Sequence, residues 1–123
     1  MIANLFVYGT LRRGYDHEFA RLLAATARFV GAAQVRGRIY KVAAYPGLVL
    51  SDDAAEQVRG DVFELNDPDE TLRVLDEYEG SEYRRVAVTA RLLDAGRTVD
   101  AWAYIYSSDV TGKPLILSGD FLA

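Results

Sequence analysis

The stretch VRGDVFELNDPDETLRVLDEYEG, residues 58–80, contains the clearest structural signals in the sequence. It begins with a short, largely apolar run over 58–65, which predicts a strand. Asp67, Pro68 and Glu70 then stand at the N-cap, the first helical position and the third, an order typical of the start of a helix. The stretch therefore predicts a strand followed by a helix that continues to its end.

Other segments predict further strands on both sides of this stretch. Residues 4–8 form a nearly continuous apolar run, which predicts a strand buried on both faces. Residues 85–92 and 98–106 are joined by a turn and predict an antiparallel hairpin. Between residues 28 and 50, glycine and proline indicate short strands separated by turns, and Gly60 marks either a bulge or a close backbone approach.

A second helix is expected over 17–27, with Asp16 as its N-cap. The tail after Ser107 contains several glycines and is expected to be mostly irregular. The 123 residues match the length and composition of one globular domain. The fold class predicted for residues 1–123 is thus a single α+β domain with mostly antiparallel strands and two main helices.

Composition excludes several function classes. The chain has no cysteine and a single histidine, His17, so a zinc site, a cysteine nucleophile and a Ser-His-Asp triad are disfavoured. The net charge is −4, and the adjacent pairs Arg12-Arg13 and Arg84-Arg85 are expected to be solvated or to make local anion contacts. These features predict a cytoplasmic protein with no nucleic-acid or membrane partner. They do not indicate an oligomeric state.

Glu79 is the acid whose position is unusual. It lies seven residues after Leu72 and four after Leu75. If the helix continues to Glu79, its carboxyl group therefore falls between the two leucines, on the buried side. Burial and the negative end of the helix dipole would both raise its pKa, as a base working near neutral pH requires. The alternative is that the last turn frays at Gly80 and Glu79 points to water.

Two further features have alternative interpretations. The loop Tyr8-Gly9-Thr10-Leu11 joins a strand to a helix, so its backbone N–H groups either converge on an anion or form an ordinary turn. Along the last strand, Trp102, Tyr104 and Tyr106 share one face. This aromatic face either packs under a helix or tail, or partly lines a pocket.

Together, several short motifs resemble the gamma-glutamylcyclotransferase-like family, and their order covers nearly the whole chain. They are Tyr8-Gly9-Thr10-Leu11, Tyr45-Pro46-Gly47-Leu48, Leu75-Asp76-Glu77-Tyr78-Glu79-Gly80, Tyr83-Arg84-Arg85 and Ser118-Gly119-Asp120-Phe121. The resemblance implies a barrel-like mixed sheet with a cavity at one end. It also implies a reaction in which a γ-glutamyl compound closes to 5-oxoproline and releases an amine or amino acid, with no metal or cofactor.

Carried onto this sequence, the family pattern makes Glu79 the catalytic acid/base. The residues that the resemblance places at the substrate are Tyr8, Gly9, Thr10, Leu11, Tyr83 and Tyr104. Glu82 is a competing acid in a predicted loop. The chain is more similar to the smaller bacterial-type and γ-glutamylamine-type members than to the larger glutathione-pathway enzymes, and a short cover over the pocket is expected to admit varied amines.

Two readings from other classes remain open on the sequence alone. In the first, the same pocket binds a small carboxylate or amino-acid-like ligand without catalysis. In the second, an exposed Trp102-Tyr104-Tyr106 stripe mediates association with a partner. The partner expected for the enzyme is a small γ-glutamyl substrate, whose leaving group the sequence does not identify.

Overall fold

The computed structural model describes residues 2–9, 11–12 and 18–122. Six strands and two helices follow one another along the chain, with a short 3₁₀ turn over Gly80–Glu82. Their bounds are β1 Asn4–Val7, α1 Glu18–Thr26, β2 Ala27–Lys41, β3 Pro46–Leu50, β4 Gln57–Leu65, α2 Pro68–Glu79, β5 Tyr83–Leu92 and β6 Thr98–Tyr106.

Five of the strands close into a barrel in the order β1-β4-β2-β5-β6, with β6 returning to β1. The remaining strand, β3, pairs with β2 and β6. The pairs β1–β6 and β3–β6 are parallel and the other pairs are antiparallel. The expected mixed, mostly antiparallel and barrel-like sheet with two helices is therefore confirmed.

The buried apolar residues form two clusters, one on each side of the sheet. One fills the barrel and contains Phe6, Val62 and Ala103. The other lies where the helices cover the barrel and contains Leu5 and Phe63, together with residues of both helices. Because side chains alternate along a strand, β1 contributes to both clusters, which confirms the prediction that it is buried on both faces.

The predicted bounds of α2 are confirmed. The Asp67 side chain accepts a hydrogen bond from the backbone N–H of Glu70 at 3.4 Å, and Pro68 begins the helix. Leu72 and Leu75 are buried, so this face packs on the barrel. The helix ends at Gly80, whose φ of 69° interrupts the helical conformation.

The prediction of short strands between residues 28 and 50 is wrong for β2, which is a single strand of 15 residues. One of its glycines, Gly37, permits close packing rather than a turn. A Cβ at Gly37 would lie 2.7 Å from the carbonyl oxygen of Val49 and 2.8 Å from a methyl of Leu48, so glycine lets β3 approach. The register of β2 against β4 shifts between Phe29 and Gly31, which marks a bulge.

The first helix begins at Glu18, and the predicted cap Asp16 and His17 lie outside the described residues. Leu23 is buried, whereas Leu22 is 40% exposed. The segment after β6 is irregular as predicted, apart from one bridge between Tyr40 and Leu115. Neither described helix is long and apolar enough to cross a membrane.

Gly60 is expected to be essential to the pairing of β4 with β1. A Cβ at this position would collide with the carbonyl oxygen of Val7 and would lie 2.8 Å from the Phe6 ring. A Cβ at Gly31 would meet only a Leu92 methyl, at 3.7 Å. We expect Gly60→Ala to lower the free energy of unfolding by about 2 kcal/mol or more, because backbone and ring must both move.

Gly31→Ala is the matched control, since it removes a glycine from the neighbouring strand without a collision. Its free energy of unfolding should stay within about 1 kcal/mol of the parent value. Urea denaturation of the three proteins measures both effects. Equal stability of the Gly60 and Gly31 variants would contradict the close approach of β1 to β4.

Candidate active site

A cavity of about 500 Å³ lies where the end of β1, the connection between β2 and β3, and the end of α2 meet. Six of the seven site residues predicted from the sequence line it: Tyr8, Gly9, Leu11, Glu79, Tyr83 and Tyr104. The seventh, Thr10, lies outside the described residues. Residues distant in sequence thus meet at one site, whose volume is in the range of small-molecule pockets.

Glu79 is the half-buried acid of this cavity. The helix persists to this residue, so its carboxyl group lies on the buried side, as the spacing predicts. Burial raises the pKa of the carboxyl to about 7. Among the described residues, no hydrogen bond or ion pair compensates its charge. A carboxyl of this kind can both accept and donate a proton near neutral pH.

Tyr8 forms the floor of the cavity and is 6% exposed. Its hydroxyl donates a hydrogen bond to the carbonyl oxygen of Tyr104 at 2.6 Å and accepts one from the N–H of Leu48 at 3.1 Å. Burial, assisted by the negative charge of Glu79, raises the pKa of the phenol, although the Leu48 contact opposes the shift. The residue therefore stays neutral and joins three strands at the site.

Tyr104 connects the cavity to a polar network on the surface of α2. Its hydroxyl donates to Oδ1 of Asp76 at 2.7 Å, and Arg85 donates to both oxygens of the same carboxylate, at 2.9 and 3.2 Å. Burial acts to raise the pKa of Asp76, but the hydrogen bonds from Arg85 and Tyr104 outweigh it and lower the pKa. The guanidinium of Arg85 also stacks over Trp102, 4.4 Å from the ring centroid.

The aromatic face of β6 both packs beneath a helix and partly lines a pocket, so the two predicted alternatives apply together. Tyr104 packs against the residues beneath the helices and also lines the cavity. Tyr106 is buried against the ring of Tyr83, with centroids 5.5 Å apart. Since Arg85 lies over the half-buried Trp102, the three aromatic residues form no exposed stripe, which contradicts the reading of an association surface.

The remaining polar wall of the cavity contains Tyr83, Tyr45 and Glu82. The Tyr83 hydroxyl donates to the carbonyl oxygen of Pro46 at 2.8 Å, and the Tyr45 hydroxyl donates to Oε1 of Glu82 at 3.1 Å. Sequence reasoning did not assign Tyr45 to the site and treated Glu82 only as a competitor of Glu79. Their contact depends on a tertiary approach between the β2–β3 connection and the turn after α2, which no local pattern signals.

The tyrosine hydroxyls present hydrogen-bond acceptors to the cavity. Tyr8, Tyr45, Tyr83 and Tyr104 each donate their proton to a protein acceptor, so only oxygen lone pairs remain available, and one of the two on Tyr8 already accepts from Leu48. The backbone N–H groups of Gly9 and Leu11 have no partner among the described residues. Acceptors thus come from side chains, whereas the free donors come from the backbone of the loop after β1.

Gly9 is required by packing rather than by backbone conformation. Its φ is outside the left-handed region, and a Cβ there would lie 2.7 Å from two ring carbons of Pro46. Glycine at this position therefore allows Pro46 to approach and is not needed for an unusual backbone conformation. A hydrogen bond from the N–H of Arg12 to the carbonyl oxygen of Gly9, at 3.1 Å, closes the loop as a turn.

Of the two alternatives for Arg12, solvation and local anion contacts, the second is confirmed: the residue is only 9% exposed, and its side chain contacts two acids. Nη1 donates to Oδ1 of Asp120 at 2.6 Å, and Nε lies 3.6 Å from Oδ2 of the buried Asp61. Next to Asp120, the carbonyl oxygen of Gly119 accepts a hydrogen bond from the N–H of Arg59 at 2.7 Å. These contacts attach the loop to β4 and to the C-terminal segment.

No three His, Asp or Glu side chains among residues 2–9, 11–12 and 18–122 come together as a metal-binding group. Comparison with known proteins then decides the family. The pattern described as "Gamma-glutamyl cyclotransferase, AIG2-like" matches residues 5–123. The chain belongs to this gamma-glutamyl cyclotransferase family. It is accordingly a cyclotransferase enzyme of the gamma-glutamyl class, which favours catalysis over a binding module on the same fold.

Named relatives and solved structures agree with the family. The chain is 36% identical to the gamma-L-glutamyl-butirosin B gamma-glutamyl cyclotransferase of Niallia circulans, over 86% of this chain and 68% of that protein. It is 30% identical to the gamma-glutamylaminecyclotransferase of Rattus norvegicus, over 87% and 78%. The structure of an AIG2-like protein from Mus musculus matches 92% of this chain and 84% of that one, with a TM-score of 0.74 and 26% identity.

The raised pKa of Glu79 predicts that the free energy of unfolding depends on pH. An unfolded glutamate has a pKa of about 4.3, whereas burial raises that of Glu79 to about 7. The protonated carboxyl therefore contributes stability that is complete below the unfolded pKa and is lost as the pH rises through about 7. We expect the permanently neutral Glu79→Gln to raise the free energy of unfolding at pH 8, by about 1 to 3 kcal/mol.

At about pH 4, where the Glu79 carboxyl is mostly protonated in both states, the variant and the parent should unfold nearly alike. Urea denaturation at the two pH values measures the difference. Glu77→Gln, on the exposed face of the same helix, should leave the pH dependence of the parent unchanged. An effect of Glu79→Gln that is the same at both pH values would contradict the burial of a charged carboxylate.

Proposed function

We propose that the protein converts a γ-glutamylamine to 5-oxoproline and the free amine, with Glu79 as the general acid/base. The observation that carries this proposal is the uncompensated carboxyl in the cavity, whose pKa burial raises to about 7. The family membership supports the reaction class. The names of the Rattus norvegicus and Niallia circulans relatives, which specify a gamma-glutamylamine and gamma-L-glutamyl-butirosin B, support an amine as the leaving group.

The reaction needs no nucleophile from the protein. The α-amine and the γ-carbonyl belong to the same substrate, and well-oriented intramolecular reactions reach effective molarities of about 10⁵ M or more. The cavity of about 500 Å³ has room to hold the γ-glutamyl group in a folded conformation. This agrees with a chain that contains no cysteine.

Glu79 is proposed to transfer a proton from the α-ammonium group to the leaving nitrogen. Its carboxylate takes a proton from the α-ammonium group, and the freed lone pair attacks the γ-carbonyl carbon, forming the ring C–N bond and an oxyanion. Glu79 returns that proton to the leaving nitrogen, the original amide C–N bond breaks and the carbonyl reforms. The second proton lost by the ring nitrogen converts the departing amine to an ammonium ion. Such proton transfer contributes about 10²- to 10⁴-fold to the rate.

The loop after β1 is proposed to hold negative charge. Gly9 and Leu11 line the cavity, and their N–H groups have no partner among the described residues. Preorganised backbone donors stabilise an anion without reorganisation. They suit the α-carboxylate or the oxyanion of the tetrahedral intermediate. Arg12 holds this loop through its buried contacts with Asp61 and Asp120.

The tyrosines are proposed to receive the α-ammonium group. Since the hydroxyls of Tyr8 and Tyr104 donate elsewhere, their oxygens offer lone pairs to N–H donors of the substrate. Glu79 lines the same cavity as both tyrosines. Burial raises the pKa of both phenols, the hydrogen bond to Asp76 raises that of Tyr104 further, and the negative charge of Glu79 acts in the same direction on both. An ammonium group at this position would be adjacent to its base.

The direct test is to incubate the protein with γ-L-glutamyl-butylamine and to measure 5-oxoproline by mass spectrometry. Turnover should fall by about 10²-fold or more in Glu79→Gln, because the variant keeps the shape of the side chain but cannot move the proton. In the parent, kcat/KM should rise with pH through about 7 as Glu79 loses its proton.

Glu77→Gln is the matched control, since it removes the same charge two residues earlier on an exposed face. It should retain the activity of the parent. Circular dichroism checks that both variants are folded. A folded Glu79→Gln that still forms 5-oxoproline at the parental rate would overturn the role of Glu79, and a parent that forms none would overturn the proposed reaction.

A further inference from the structure

The cavity contains two carboxylates of different exposure. Glu79 is half-buried, whereas Glu82 is exposed at the solvent side, in the turn that follows α2. Among the described residues that line the cavity there is no lysine, arginine or histidine. In the proposed reaction the γ-glutamyl part contacts Glu79, which would direct the variable leaving group toward the exposed end, where Glu82 lies.

Glu82 is held in this position but is not neutralised. Oε1 accepts the hydrogen bond from the Tyr45 hydroxyl at 3.1 Å, and no described lysine or arginine pairs with the carboxylate. The second oxygen remains available. Burial raises the pKa of Tyr45, and the hydrogen bond to Glu82 raises it further, so the contact persists as a neutral phenol beside a charged acceptor.

The surroundings of Glu82 also favour a cation. The rings of Tyr45 and Tyr83 lie 6.3 Å apart, and that of Tyr83 lies 5.5 Å from Tyr106, so a group of aromatic rings lies in the same part of the cavity wall as Glu82. Aromatic faces attract ammonium groups, and the hydroxyl oxygens of Tyr45 and Tyr83 can only accept further hydrogen bonds. A carboxylate on the leaving group would meet repulsion and no compensating donor from these side chains.

We propose that Glu82 is a specificity-determining residue that selects γ-glutamyl substrates whose leaving amine carries a second, positively charged group. This inference rests on the proposed function, since it concerns the leaving group of that reaction. It assigns different tasks to the two acids: Glu79 moves protons, and Glu82 discriminates by charge. Exposed charges are screened by solvent, so the discrimination should be moderate and should depend on salt.

Three γ-L-glutamyl amides of nearly equal length test the proposal. Their amines are 1,4-diaminobutane, butylamine and 4-aminobutyrate, which present a positive, a neutral and a negative end. In the parent, kcat/KM should decrease in that order. In Glu82→Gln, whose amide oxygen can still accept from Tyr45, the ratio of the positive to the negative substrate should fall by roughly 5- to 20-fold. The neutral substrate should change by less than about 2-fold.

Glu77→Gln controls for net charge, because it removes one negative charge outside the cavity lining and should leave the ratio unaltered. Raising the salt from about 0.05 to 0.5 M should reduce the ratio in the parent and not in Glu82→Gln. A ratio that Glu82→Gln leaves unchanged, while the butylamide is turned over, would overturn the role of Glu82 alone. A parent that turns over none of the three amides, the butylamide included, would overturn the proposed function and this inference with it.

Discussion

The site depends on one costly arrangement, a carboxyl group that is half-buried and has no partner for its charge in the part of the chain that the structure describes. Glu79 occupies the last position of α2, where Leu72 and Leu75 hold the helix against the barrel. Had the helix ended one turn earlier, the carboxyl would lie in solvent and keep an ordinary pKa. Packing of two leucines therefore sets the proton affinity of an acid several residues away, and the energy of that packing offsets the cost of burying the acid.

The rest of the cavity is built by rigid elements that each contribute one kind of group. The barrel strands supply tyrosines whose hydroxyl protons are already engaged, so they present oxygen lone pairs. In the loop after β1, Gly9 and Leu11 supply backbone N–H groups that no described residue accepts from, and the loop is held by the contact of Gly9 with Pro46 and by the buried Arg12. Negative and positive parts of a zwitterionic substrate can thus be received at different places without any lysine or arginine in the described cavity wall.

Local signals in the sequence predicted α2 to the residue, because its cap, its proline and its terminal glycine are all adjacent in the chain. The same periodicity predicted the buried side on which Glu79 lies. Features that depend on tertiary closure were not predictable in this way. Gly37 of β2 suggested a turn but permits a neighbouring strand to approach. Local anion contacts were one alternative for Arg12, but nothing local indicated that its acids would be 49 and 108 residues away. Likewise, nothing local indicates that Tyr45 would reach Glu82.

The central claim is that burial gives Glu79 a proton affinity suited to catalysis near neutral pH. It is tested most directly by titrating the glutamate side-chain carboxyls by ¹³C NMR, with the Glu79→Gln spectrum used for assignment. We expect one carboxyl resonance, that of Glu79, to be absent from the variant and to titrate in the parent with a midpoint of about 7. A Glu79 resonance with a midpoint of about 4.3, the value expected for a solvated glutamate, would contradict the raised pKa.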